Sequence, residues 1–182
     1  AGAWGSGTWG TGGTTTQPLR LWSQNNFGED LVFAYRGGPL LYWDATTGTA
    51  ARGKIVDTTN YPTSSDVPTA VNYSFVSDIS RFVFAFGANA LGGTLIDPML
   101  VRWSDQESFI NWTPDATNQA GSLRLSHGTE IITATQARQE ILVWSDSALY
   151  SLQYLGAPDV WGAQLLGNNI SIAGQNATAY AA

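Results

Sequence analysis

Short antiparallel β-sheets repeated three times along one chain are what this sequence predicts, and three observations carry the prediction. An apolar run, a turn and a second apolar run ending near an aromatic and an acid occur in three versions. The first runs begin about 50 to 60 residues apart, the spacing of propeller blades. No segment sustains a helical 3.6-residue period over a dozen residues. The expected fold class is therefore all-β, with propeller-like antiparallel blades. Three are recognisable, so the ring is incomplete in this chain, because propellers close with typically four to eight blades.

Residues 1–16 form a Gly/Thr/Trp-rich arm with Trp4 and Trp9, each followed by glycine. Composition marks it as flexible, but two large aromatics are costly to leave in water and argue that it docks. Residues 17–182 are read as the propeller-like domain, part of a larger propeller. A strand at Leu19–Trp22, a polar turn through Asn25-Asn26-Phe27-Gly28 and the hairpin Leu31–Tyr35 with Leu40–Asp44 open it. Residues 45–66 read as a loop with one short strand at Lys54-Ile55-Val56.

The second unit has strands at Ala70–Val76 and Phe82–Phe86, a long loop Ala88–Asp97, a break at Pro98, and a strand Met99–Trp103. Ser104–Gly121 reads as an ordered loop pinned by Phe109 and Trp112. The third unit is expected at Leu123–Leu125, Glu130–Thr135, Ile141–Trp144 and Leu149–Leu155, with at most one more strand pair in Gly162–Ala173.

Charged residues make up 12 % of the chain, about half the roughly 25 % usual for soluble domains. Burial of surface by partners in an assembly explains this. So does the ordinary composition of many extracellular and viral β-proteins. The net charge of −6, with a single lysine (Lys54) and no basic cluster, argues against a protein that grips nucleic acid by neutralising phosphates. There is no cysteine, hence no disulfide or thiolate chemistry. No stretch approaches the roughly 20 apolar residues of a membrane span. The first residues lack the basic and apolar regions of a signal peptide. The chain does not begin with Met, which fits a processed product or a segment of something longer.

His127 is the only histidine and lies in a polar turn, so the usual zinc ligand sets are missing and a Ser-His-Asp triad would have to use it. Asp44, Asp105 and Asp146 recur after strand or turn aromatics. Two of them could act as a glycosidase pair at roughly 5 to 9.5 Å. Their recurrence points instead to turn-capping aspartates. Ser104-Asp105 with Trp112 only weakly echoes the Asp-box of sialidase blades. Gly37-Gly38 and Gly92-Gly93 are turn glycines, with no Lys-Ser/Thr following to make a phosphate cradle. No EF-hand spacing is present. Catalytic, metal and cofactor-binding residues are thus expected to be none. Trp43, Trp103 and Trp144 are read as blade-to-blade packing, and Trp4, Trp9, Trp112 and Trp161 as contacts with partner chains.

Specific strings add a resemblance. Arg20-Leu21-Trp22, then Asn26-Phe27-Gly28-Glu29-Asp30-Leu31 and Arg36-Gly37-Gly38-Pro39-Leu40, resemble the tail proteins of tailed bacteriophages. So do Asp97 to Glu107 leading to Trp112-Thr113-Pro114, the stretch Thr135–Tyr154, and the N-terminal Trp-Gly repeats. The resemblance implies a virion structural protein of the propeller type, related to the tail hub, nozzle or packaged-DNA-stabilisation proteins of short-tailed phages. It implies a homo-oligomeric ring with portal and other tail proteins as partners, through which DNA passes without specific binding. It also implies further blades beyond Asn168–Ala173. The alternatives are a glycan-binding module that recognises a host receptor and a propeller glycosidase.

Overall fold

The computed structural model describes residues 20–179. Its strands form three four-stranded sheets, each an up-and-down antiparallel meander. Sheet 1 is β1 (Trp22–Phe27), β2 (Asp30–Tyr35), β3 (Leu40–Trp43) and β4 (Lys54–Ile55). Sheet 2 is β5 (Val71–Val76), β6 (Val83–Asn89), β7 (Ile96–Trp103) and β8 (Gly121–Arg124). Sheet 3 is β9 (Ile131–Gln136), β10 (Ile141–Ser145), β11 (Ala148–Tyr154) and β12 (Trp161–Asn168).

The expected all-β architecture of propeller-like blades is what the chain adopts, with some strands relocated. The first strand is Trp22–Phe27 rather than Leu19–Trp22, and the chain reverses at Gly28, whose φ of 72° suits glycine. Pro98 does not break β7. It lies in the register shift opposite Gly87, where the ladder requires no proline N–H. Gly121–Arg124 closes sheet 2 and does not open the third unit, and Trp161–Asn168 is a full fourth strand of sheet 3.

Sheet 2 lies between the other two. Val32, Ala34, Leu40 and Tyr42 of sheet 1 pack on Val71, Val83, Ala85 and Ala88 of sheet 2 in one core. Phe84, Phe86, Val101 and Trp103 pack on Ile141, Val143, Tyr150 and Leu152 of sheet 3 in the other. β6 is buried at every position, because alternate side chains point to opposite faces and both faces are covered. Each full apolar side chain removed from water stabilises by about 1.5–3 kcal/mol.

The first strands β1, β5 and β9 run side by side toward a common centre. Ser23 Oγ lies 2.8 Å from Ser74 Oγ and joins β1 to β5. The Tyr73 hydroxyl donates to the Ala134 carbonyl at 3.2 Å and joins β5 to β9. The C-terminal segment continues the series. Thr133 Oγ1 donates to the Gln175 carbonyl at 2.7 Å, and Gln175 Nε2 donates back to the Trp22 carbonyl at 3.0 Å.

Candidate functional site

Of the four tryptophans expected at a subunit interface, Trp4 and Trp9 lie outside the described residues. The other two are buried within the described residues. Trp112 is 1 % exposed, although Asn111, Thr113 and Pro114 around it belong to a loop. Ser65 pairs with that loop, donating to the Ile110 carbonyl at 2.9 Å and accepting from the Trp112 N–H at 3.0 Å. The indole is thereby drawn under sheet 2, where Nε1 donates to the Phe109 carbonyl at 2.9 Å. Trp161 is 7 % exposed and meets Phe82 and Phe84 edge-on, at centroid distances of 5.6 and 5.0 Å.

Trp103 is core, as expected for packing between blades. Trp43 and Trp144 do stand on blade faces, but on the two faces that no other sheet covers among the described residues. The pairings Leu31 with Trp43 and Phe33 with Leu41 place these side chains on the side of sheet 1 away from sheet 2. Trp22 and Ile55 join them there, 52 % and 42 % exposed. Alternation along β1 is the signal that could have found Trp22, once the strand is placed at Trp22–Phe27. On sheet 3, Leu142, Trp144 and Leu149 occupy the corresponding outer face.

A cleft of about 550 Å³ opens beside the first strands, lined by Asn25, Tyr73, Thr135, Gln136, Arg138 and Asn176 among others. Burial pushes the Tyr73 phenol above its ordinary range, against a smaller opposing effect of hydrogen bonding with Thr133. It therefore serves as a neutral donor. Arg36, at the β2–β3 turn, reaches Glu130 before β9 at 2.7 Å and joins sheet 1 to sheet 3 at one end of this centre.

The aspartates are occupied at their turns. Asp44 Oδ1 accepts from the Thr46 hydroxyl at 2.6 Å and the Thr46 N–H at 2.8 Å, which hold its carboxyl below the usual range. Asp146 accepts from the Thr129 hydroxyl at 2.6 Å and the Thr129 N–H at 2.8 Å, and it too is held low. Asp105 Oδ1 accepts from the Gln106 and Gln119 N–H groups, each at 2.9 Å. A general acid needs its pKa raised toward the working pH; Asp44 and Asp146 move the other way. The turn-capping expectation holds at Asp44, whereas Asp105 and Asp146 tie their turns to Gln119 and Thr129, 14 and 17 positions away.

His127 Nδ1 lies 2.9 Å from Ser126 Oγ and 3.2 Å from the Tyr150 hydroxyl. A triad gives Nδ1 to the acid and Nε2 to the serine, so this is a local turn contact. Among the described residues no three His, Cys, Asp or Glu side chains converge to hold a metal. No helix among them is long and apolar enough to cross a membrane.

A different ion pair was not legible in the sequence. Arg102 is 1 % exposed. It donates to Asp66 Oδ2 at 2.8 Å, to the Asp66 carbonyl at 2.7 Å and to the Asn89 carbonyl at 3.1 Å. Asp66 also accepts from the Gly92 N–H. The guanidinium thus pins the loop before β5 and the β6–β7 loop to sheet 2.

No protein-family model matches this chain, and no curated protein matches it.

Proposed function

We propose that this chain is a structural component of a bacteriophage tail, a hub or nozzle protein of the virion. In this reading it assembles into a ring that extends the DNA channel below the portal, and it works by assembly, not catalysis. One observation carries the reading: the Arg36-Gly37-Gly38-Pro39 turn, one of the strings that resemble tail proteins, touches all three sheets. The Arg36-Gly37-Gly38-Pro39 turn bonds to Val71 of β5 through Gly37 and Gly38 and reaches Glu130 through Arg36. Arg102-Trp103-Ser104 is buried throughout, and Ser104 Oγ accepts from the Val83 N–H at 3.0 Å.

Composition supports the same reading. A chain with net charge −6 and few basic groups lets DNA pass without adhering, because phosphate binding requires clustered cations. Asp44, Asp105 and Asp146 are each engaged in hydrogen bonds of their loops. Imaging of virions that contain this chain tests the proposal. A ring on the tail axis is expected, and density elsewhere or no virion incorporation would overturn it.

The cleft beside the first strands supports a second reading, a module for neutral glycans, since most of its polar lining is amide and hydroxyl. Glycan binding by the purified chain, weakened by Tyr73→Phe with the fold intact, would favour it.

A further inference from the structure

At the outer edge of sheet 1, on the side turned toward sheet 2, lies a pocket of about 320 Å³. Its walls include Tyr42, Asp44, Arg52, Lys54, Tyr61 and Phe109. Tyr42 and Lys54 are cross-strand partners, so both side chains stand on the face that packs on sheet 2. The pocket is therefore a crevice between sheet 1 and the loops that flank sheet 2, and neither outer face of the stack takes part in it.

Its aromatic rings meet as two planes. Tyr42 and Phe109 stack with centroids 3.8 Å apart and planes 4° from parallel. Tyr61 stands upright against both, at 90° and 88°. Each ring is fixed from behind. Tyr42 donates its hydroxyl to Asp30, and the Phe109 carbonyl accepts from the Trp112 indole. The Tyr61 N–H donates to the Asp57 carbonyl at 2.8 Å. The loop that carries Arg52 is tied down where the Trp43 indole donates to the Ala51 carbonyl at 3.1 Å. Walls held in this way lose little freedom when a ligand enters.

The polar groups of the pocket are uncommitted. Of the chain's eight basic residues, Arg36, Arg81, Arg102 and Arg124 form ion pairs and Arg20 stacks over Tyr35. Arg52 and Lys54 pair with no carboxylate among the described residues, and both line this pocket. Asp44 takes both Thr46 bonds on Oδ1 and leaves Oδ2 to accept. Those bonds also keep the carboxyl ionised. Two cations against one anion make the spot locally positive in a chain of net charge −6, and acids farther off than about 8 Å are screened at physiological salt. We propose that this pocket binds a hexuronic acid unit of an acidic glycan. Tyr61 and Phe109 take the apolar face of the sugar ring, Asp44 accepts from its hydroxyls, and Arg52 and Lys54 hold its carboxylate. A cavity at the small end of the roughly 300–1,000 Å³ usual for ligand sites suits a single sugar ring. The site is separate from the cleft beside the first strands, and the inference rests on neither reading given above.

Chemical-shift titration of the isotope-labelled full chain tests it, with methyl glucuronide, methyl galacturonide, methyl glucoside and acetate as probes. Saturable shifts at the amides of Ala51–Ile55, Tyr61 and Phe109 are expected with at least one uronide. The glucoside is expected to bind about tenfold more weakly, because it offers the cations no carboxylate. Acetate, which has no ring, is expected not to saturate. Arg52→Ser combined with Lys54→Ser is expected to erase the preference for the uronide, and Tyr61→Ala to weaken uronide and glucoside alike. No saturable shift at these residues with either uronide would overturn the site. Acetate binding as tightly as the uronides would reduce it to an anion site and overturn it as well. So would an unchanged uronide preference in the double variant. If Tyr61→Ala loses its fold, the double variant, altered only at exposed side chains, carries the test. Each of these failures leaves the tail reading standing, since imaging of virions decides that separately.

Discussion

Trp112 hangs from the Phe109 carbonyl, has the Arg102 guanidinium 6.0 Å from its ring centroid, and shares a core with Val71 and Val83. Replacing it with alanine empties that space, which costs about 3–5 kcal/mol for a large buried aromatic. Trp112→Ala is expected to lower the urea midpoint by the corresponding amount. A loss below about 1 kcal/mol would mean that the 105–120 loop does not belong to the core. The loop character of this tryptophan was legible from its neighbours, but its burial was not, because the bridge that pulls it in comes from Ser65. Asp44 was legible for the opposite reason: its cap is completed by Thr46, two positions away. The Arg102–Asp66 pair spans 36 positions, and nothing local in the sequence announces it.

Strands with long apolar runs, such as β2, β6 and β10, could be read directly, and those with polar outer faces could not. β1 reads WSQNNF and β8 reads GSLR. Each has one face open and few apolar residues to show the alternation, which is why the sequence pattern alone points to an earlier first strand and to the wrong sheet for the second. β6 illustrates a further device that periodicity alone hides. Phe84 and Phe86 face sheet 3, and strict alternation would send Ala88 the same way, yet Ala88 packs in the core with sheet 1. The register shifts between Phe86 and Ala88, and Gly87 absorbs it at φ 60°. A Cβ at Gly87 would sit 2.8 Å from Asn72 Nδ2. Gly87→Ala therefore meets both left-handed backbone strain and a close contact, and about 1–2 kcal/mol of destabilisation is expected. Equilibrium urea unfolding measures this. An unchanged midpoint would show that the shift does not need a glycine.

At the scale of the molecule, three blade-type sheets of four strands were legible as a repeat, whereas the order of burial among them is a property of the stack. Sheet 2 touches both neighbours, so its second strand loses its protection only when both interfaces open. β4 has two residues, both exposed, and hangs on sheet 1 by a single pairing. Amide exchange follows such differences, because a buried amide at the shared centre exchanges only through global opening while edge amides exchange through local fraying. Val83–Asn89 is therefore expected to exchange slowest, and Lys54–Ile55 with Ser122–Arg124 among the fastest of the strand amides. Residue-resolved exchange checks this order, and β6 amides no slower than those of β4 would remove sheet 2 from the centre of the stack.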